Sequence, residues 1–195
     1  MRIGIDIDGV LTNVEEFEID YGSKYFYETG IYNTIKDVDF TKENYNIDED
    51  TSNRFWSKAI YDYIKVKPRN FACEVIKKLK EEGNTICIVT NRISDLSYCD
   101  ITKEEMKDVV IKWLKRNSIY YDELIFSNDN KVQFIIDNKI DIMIEDNSKN
   151  IKAISEIIPV ICFNAGYNKS CSGKNIIRCF SWYDIYAKIS KLKNN

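Results

Sequence analysis

Residues 3–10 read IGIDIDGV, running from Ile3 through Asp6 and Asp8 to Val10, and they set the frame for the whole chain. Ile3, Ile5 and Ile7 alternate with Gly4, Asp6 and Asp8. Successive side chains of a strand point to opposite faces, so a strand over 2–8 gathers the isoleucines on one face and both carboxylates on the other. At about 3.3 Å per residue the two aspartates then stand about 6.6 Å apart. Two like charges on an apolar strand are unfavourable unless a cation binds there or the site does chemistry.

The next strand, NTICIVT at 84–90, follows only after about 75 residues, where a β-helix-β crossover needs about 30. Three helices are expected in between. One covers about 13–29 and ends near Gly30. The second covers 48–66, with Phe55, Ala59, Ile60 and Tyr63 near helical spacing and Pro68 beyond it. The third covers 69–82, with Ala72, Val75, Ile76 and Leu79 on one face and Gly83 past its end. The third reads as the crossover helix, which leaves a helical module inserted after the first strand. Helix 102–117, strand 123–127, helix 130–138, strand 140–145, helix 148–156, strand 159–163 and helix 181–192 then alternate, and Thr102-Lys-Glu-Glu105 reads as a capping box. The expected fold is α/β: a doubly wound, Rossmann-like parallel sheet covered on both faces, with a core of 1–13 and 67–195 and an inserted helical cap over 14–66.

The 195 residues suit one domain with an insertion, and 44% hydrophobic content supplies a substantial core. A net charge of −3 with scattered lysines offers no basic stripe for a nucleic-acid polymer or a membrane surface. No apolar run approaches the ~20 residues that span a bilayer. Six cysteines without a C-x-x-C pair indicate neither a zinc site nor a disulfide framework. The chain opens straight into a strand with no signal-peptide pattern, so the expectation is a cytoplasmic protein with reduced thiols. There is no histidine at all. Histidine bases, Ser-His-Asp and Cys-His triads and histidine-bound zinc are thereby excluded, and any metal is held by oxygen ligands, which favours magnesium, calcium or manganese.

Ligands of open parallel sheets bind outside the carboxyl ends of the strands. The first strand brings Asp6 and Asp8 there, the 84–90 strand brings Thr90, followed by Asn91 and Arg92, Lys131 opens the helix after 123–127, and the 140–145 strand ends at Glu145 before Asp146 and Asn147. An EF-hand reading of Asp-x-Asp-Gly fails on Ile7 and Val10 and on Phe17 at the twelfth position. A sugar-nucleotide transferase motif usually follows a nucleotide-binding half, whereas this one starts at residue 6.

The four groups, in this order and on these elements, resemble the motifs of the haloacid dehalogenase (HAD) superfamily. The resemblance covers nearly the whole chain. It implies that Asp6 is a nucleophile forming an aspartyl-phosphate and that Asp8 is the general acid and base. It implies Mg²⁺ held by Asp6, the main-chain carbonyl of Asp8 and Asp146, with Glu145 a direct ligand or behind them. Thr90 and Lys131 would neutralise the transferring group. Many members have threonine where Val10 stands, so that side-chain hydrogen bond is missing.

Asp8 sets the chain apart from the dehalogenases, and the insertion matches the superfamily's type-1 cap, which favours small soluble substrates. DIDGVLTN, FW with Pro68, VTNR, KWLKRNSIYYDELIF and GYNKSCSGKNIIRCFSWYDIY look most like the 5′(3′)-deoxyribonucleotidase group and its bacterial relatives. Relatives commonly carry alanine where Asn91 stands, which leaves its role open; here it is grouped with the phosphate-binding residues. Twelve of the 25 aromatic residues fall between Phe17 and Tyr63, as a base-stacking pocket or as the packed core of a small module. Phe17 and Tyr21, closest to the catalytic loop, are the candidate substrate contacts, and Arg92 either pairs with a substrate phosphate or sugar or sits at the surface. The expectation is a Mg²⁺-dependent phosphomonoesterase acting on (deoxy)nucleoside monophosphates. The alternatives are a phosphatase of another small metabolite such as a sugar phosphate, a phosphotransferase or mutase, and a non-catalytic phosphate-binding protein.

Overall fold

The computed structural model describes residues 1–32, 41–127 and 131–193. Among these, strands β1 (Arg2–Ile5), β2 (Thr85–Thr90), β3 (Glu123–Phe126), β4 (Ile142–Glu145), β5 (Val160–Phe163) and β6 (Ile176–Cys179) form one parallel sheet in the order β3-β2-β1-β4-β5-β6. Ile3 stands opposite Ile86 on one side and Ile142 on the other. The chain winds outward in both directions from β1, so the carboxyl end of β1 lies at the point where strand order reverses, the natural crevice of such a sheet.

Helices α4 (Ala72–Glu81), α5 (Lys103–Arg116) and α8 (Trp182–Lys193) cover one face, where Ile3, Ile5, Ile86 and Ile144 pack with Val75, Ile76, Leu79, Trp113 and Ile185. Helices α6 (Lys131–Asp137) and α7 (Ser148–Ser155) cover the other, where Val89, Met143, Val160 and Cys162 meet Ile135, Ile151 and Ile154. Burial on both faces explains why these strands read as near-continuous apolar runs. The expected capping box is formed: Thr102 N–H donates to Glu105 Oε2 at 2.9 Å, and Glu105 N–H donates to Thr102 Oγ1 at 3.3 Å. Asn130, the expected start of helix 130–138, lies outside the described residues.

The helical insertion consists of α1 (Val14–Glu28), α2 (Thr41–Tyr45) and α3 (Glu49–Tyr63). Asn13 and Asp48 cap α1 and α3 by accepting hydrogen bonds from Glu16 N–H and Thr51 N–H. Phe17, Phe26, Tyr45, Phe55 and Tyr63 fill its interior, and Ile93 and Met106 extend that cluster into the sheet domain. Phe40, one of the twelve aromatic residues, lies outside the described residues.

Three expectations need correction. The short α2 was not anticipated, because five residues span too little of a helical period to show one. The sixth strand was missed because it is a four-residue edge strand broken by Arg178. The first strand ends at Ile5 rather than at residue 8. Asp6 N–H still donates to Ile144 O at 3.1 Å, but the chain then coils through residues 7–11 in one wide turn closed by Thr12 N–H donating to Ile7 O at 2.9 Å. Asp6 and Asp8 are therefore not two positions on one strand face.

Gly9 makes that turn possible, with φ of 78° in the left-handed region. A Cβ at this position would fall 1.8 Å from Asp146 Oδ2. Gly9→Ala is expected to lower unfolding free energy by about 2–4 kcal/mol, from the left-handed penalty together with overpacking. A urea melt with unchanged slope and a lowered midpoint checks this.

Candidate active site

Three elements converge on Lys131, the first residue of α6, whose side chain is only 3% exposed. Its Nζ lies 2.8 Å from Asp6 Oδ1 at the end of β1 and 2.7 Å from Glu145 Oε2 at the end of β4. Burial opposes the lysine charge, but the two carboxylates outweigh it and hold the ammonium protonated. Glu145 is fully buried and every side of it is engaged. Oε1 accepts from the N–H groups of Asp146 and Asn147 at 3.1 and 3.0 Å, and Oε2 also accepts from Asn150 Nδ2 at 3.3 Å.

Asp146 differs. Its Oδ2 accepts a hydrogen bond from the Tyr167 hydroxyl, and its carbonyl accepts from Asn168 Nδ2 at 2.7 Å, yet buried Oδ1 has no hydrogen-bond partner among the described residues. Ligand oxygens of Asp6, Glu145 and Asp146 lie within 4.8 Å of one another. Burial pushes the Asp6 carboxyl up; Lys131 opposes this while Glu145 and Asp8 add to it, leaving it at about 7. Burial, then Glu145 and Asp6, push Asp146 up as well. One lysine does not neutralise this set. An orphaned buried carboxylate oxygen amid hard oxygen donors fits a divalent cation such as Mg²⁺, with Asp6 and Asp146 able to hold it and Glu145 already committed to protein donors.

Asp8 belongs to a second cluster. Arg92, in the loop after β2, donates from Nε to Asp8 Oδ1 and Oδ2, both at 3.0 Å, and from Nη2 to Oδ1 at 2.6 Å. The Tyr63 hydroxyl of α3 donates to Oδ1 at 2.6 Å and lies 2.7 Å from Thr12 Oγ1. Burial works against ionisation of Asp8, but Arg92 outweighs it and holds the carboxyl below the usual range. The surface alternative for Arg92 is overturned: its side chain is 5% exposed, with the guanidinium 5.2 Å from the Tyr63 ring and 5.9 Å from the Trp113 ring. Thr90 ends β2 fully buried, its Oγ1 accepting from Arg92 N–H at 3.3 Å. Asn91 Oδ1 accepts from the Ser127 hydroxyl.

Two cavities meet here. The smaller, about 240 Å³, is lined by Asp6, Asp8, Asn91, Lys131, Asp146 and Tyr167, with Val14 and Glu18 from α1. The larger, about 430 Å³, is lined by Asn53, Trp56, Tyr63, Arg92, Tyr98 and Met106 among others, and shares Asp8, Val14 and Asn91 with the first. Asp8 thus stands at their junction. Phe17 and Tyr21 line neither. Phe17 is packed inside the insertion against Tyr21, Trp56 and Tyr63, and Tyr21 is 45% exposed. On α1, Val14 and Glu18, one turn apart, face the smaller cavity instead. The residues that sequence reasoning did not single out are Trp56, Tyr63 and Tyr167. Trp56 carried a signal in the FW pair; the two tyrosines carried none, because a phenol at helical spacing or in a loop is ordinarily a packing residue.

Asp6 and Asp146 bind protons more tightly in the folded chain than an ordinary carboxyl does near pH 4. Cation-free protein is therefore expected to lose stability as pH rises from about 4 to about 7, because the folded state must give up protons it favours. Added Mg²⁺ is expected to raise Tm by an amount that grows across the same window. Melting curves with chelator and with Mg²⁺ at several pH values check both signs.

Over residues 1–194 the chain matches the family described as 5′ nucleotidase, deoxy (pyrimidine), cytosolic type C protein. It is 31% identical over 192 residues to the Bacillus subtilis protein named "Putative nucleotidase YqfW", covering 94% of this chain and 91% of the relative. A nucleotidase of Clostridium acetobutylicum is 30% identical over 197 residues, covering 98% and 95%. A HAD-superfamily hydrolase from Ehrlichia chaffeensis superposes with a TM-score of 0.55 at 19% identity, covering 99% of this chain and 97% of its own. The D,D-heptose 1,7-bisphosphate phosphatase of B. bronchiseptica, crystallised with magnesium and phosphate, gives 0.55 at 11% identity, covering 98% and 99%. With its sheet, its acidic crevice and near-complete coverage by these relatives, the chain belongs to the cytosolic type C 5′ nucleotidase family, phosphate-ester hydrolases built on the HAD fold.

Proposed function

We propose that this protein is a Mg²⁺-dependent phosphomonoesterase that hydrolyses (deoxy)nucleoside monophosphates through an aspartyl-phosphate on Asp6. The observation that carries this reading is the pair of cavities joined at Asp8. A small polar one holds a buried lysine, and a larger one is lined in part by the aromatic side chains of Trp56, Tyr63 and Tyr98. The first suits a phosphoryl group and the second a base. Residues 14–66 act as the cap that contributes Trp56 and Tyr63 to that lining, with Trp56 in place of Phe17 or Tyr21 as the stacking candidate.

Asp6, the main-chain carbonyl of Asp8, and Asp146 would hold the cation, and Glu145 stands behind them as the fixed counter-ion of Lys131. Bound Mg²⁺ supplies positive charge that keeps Asp6 ionised and offsets the charge of the phosphoryl oxygens. Lys131 neutralises a phosphoryl oxygen and Asn91 borders that position, whereas Thr90, fully buried at the end of β2, lines neither cavity. In the first half-reaction an Asp6 oxygen bonds to phosphorus as the ester P–O bond breaks, and the Asp8 carboxyl proton passes to the leaving alkoxide. In the second, Asp8 carboxylate takes a proton from water, the water oxygen bonds to phosphorus, and the bond from Asp6 breaks to free inorganic phosphate.

The compartment that goes with this reading is the cytoplasm, where six unpaired cysteines stay reduced. No helix of the described residues is long and apolar enough to cross a membrane.

Phosphate release is to be measured with ribo- and deoxynucleoside monophosphates, pyrimidines first, beside sugar phosphates and p-nitrophenyl phosphate. Nucleotide turnover is expected with Mg²⁺, abolished by chelator and by Asp6→Asn. Trp56→Ala is expected to raise KM for the nucleotide about tenfold or more, the loss of one stacking contact, while changing KM for p-nitrophenyl phosphate little. Turnover of sugar phosphates alone would keep the mechanism and overturn the nucleotide assignment.

A further inference from the structure

We propose that Arg92 is a positioning residue that acts through Asp8: with Tyr63 it fixes the carboxyl at the junction of the two cavities, aimed at the ester oxygen. The inference rests on the phosphomonoesterase reading above and assigns to Arg92 a role other than gripping substrate.

The geometry points this way on four counts. First, the guanidinium meets Asp8 with both Nε and Nη2, a fork that fixes the carboxylate plane as well as its distance. Second, the Arg92 guanidinium lies over the rings of both Tyr63 and Trp113 and is buried, so Asp8 is gripped by a group that is itself packed. Third, Nη1 is buried without a hydrogen-bond partner among the described residues. Leaving a buried donor unpaired is costly, so the Asp8 side and the ring stack dictate where this side chain sits. Fourth, Arg92 lines the larger cavity and not the smaller, whereas Lys131 lines the smaller. A phosphoryl group beside Asp6 is attended by the lysine, in a cavity that Arg92 does not line.

Asp8 needs such a grip. It follows the short β1 in a turn that contains a left-handed glycine, so the backbone alone does not fix its carboxylate. The two grips come from different parts of the chain, Arg92 from the loop after β2 and Tyr63 from α3 of the insertion. The ester oxygen between a phosphate in one cavity and an organic group in the other lies at the junction that Asp8 occupies. When P–O cleavage moves the Asp8 proton to that oxygen, the carboxylate left behind is the species that the guanidinium binds.

The test exploits leaving-group chemistry. A nucleoside leaves as a strongly basic alkoxide and needs the Asp8 proton; p-nitrophenolate leaves without it. Arg92→Gln is expected to lower kcat/KM for the nucleotide, which reports the first half-reaction, on the order of 10²-fold, the scale of lost general-acid catalysis, with KM within about threefold. The loss for p-nitrophenyl phosphate is expected to be smaller by about tenfold or more. Arg92→Lys keeps the charge without the fork and is expected to fall between wild type and Arg92→Gln. Tyr63→Phe keeps the ring under the guanidinium and is expected to show the same leaving-group bias with a smaller loss. Both carry the test if Arg92→Gln does not fold. In an Asp8→Asn background Arg92→Gln is expected to cost little further.

Equal losses on the two substrates, a raised KM with kcat preserved, or losses that add to those of Asp8→Asn would each overturn the proposal. Wild-type turnover of an alkyl phosphate is the control on the underlying reading. Its absence would overturn that reading and this inference together, whereas turnover with any of the three patterns above overturns this inference alone.

Discussion

Lys131 lies buried between Asp6 and Glu145, 2.8 and 2.7 Å away, and the carboxyl edge of the sheet is organised around that contact. It joins the ends of β1 and β4 to the first turn of α6. An ammonium buried in this way is tolerable only when paired, and a buried carboxylate only when its lone pairs are used. Glu145 meets that condition with main-chain N–H groups and Asn150, and so cements the lysine in place. Asp146 does not meet it, because one oxygen remains without a donor among the described residues. The excess of negative charge and the orphaned oxygen both fit a cation at this site.

Around that centre a second set of side chains braces the chain. Arg69 donates from Nε to Gly9 O and Thr12 O, each at 3.2 Å, and from Nη2 to Asn13 Oδ1 at 3.0 Å, while its own N–H donates to Leu11 O at 2.7 Å. Its guanidinium lies 4.5 Å from the Phe163 ring. One arginine thus ties together the turn after β1, the entry to the insertion and the return from it. Asn168 and Tyr167 do the equivalent work for Asp146 from the loop after β5, with Arg178 of β6 donating to Asn168 Oδ1 at 2.8 Å. Of these braces Tyr167 also lines the smaller cavity, whereas Arg69, Asn168 and Arg178 line neither of the two.

Much of this was legible in the chain itself. The alternation of isoleucines with Asp6 and Asp8, the long interval before Thr85–Thr90 and the regular strand-helix alternation after it require a parallel sheet with a helical insertion. Asp6, Lys131, Glu145 and Asp146 were identifiable because each ends or follows an apolar strand, and parallel topology delivers such positions to one edge. Arg92 and Tyr63 were visible as residue types but not as partners. They stand 84 and 55 positions from Asp8, and no local period encodes a contact of that range. Phe17 and Tyr21 pointed the wrong way for a related reason: nearness in sequence to the catalytic loop says nothing about which side of α1 faces the cavity.

The sequence by itself determined the sheet order's starting point, the insertion and the acidic and basic residue types of the site, because hydrophobic period and strand-end position are local properties. Only the tertiary structure decided how those groups divide. Asp6, Lys131 and Asp146 line the small cavity, Arg92 lines the larger one, and Asp8 stands where the two meet, because the chain leaves β1 at Ile5 and coils through a left-handed Gly9. Had the strand continued, both aspartates would have shared one face. The turn separates them into a lysine-bound carboxylate and an arginine-bound one; it is closed locally by Thr12 N–H on Ile7 O and lies against Asp146, a contact that no stretch of sequence contains.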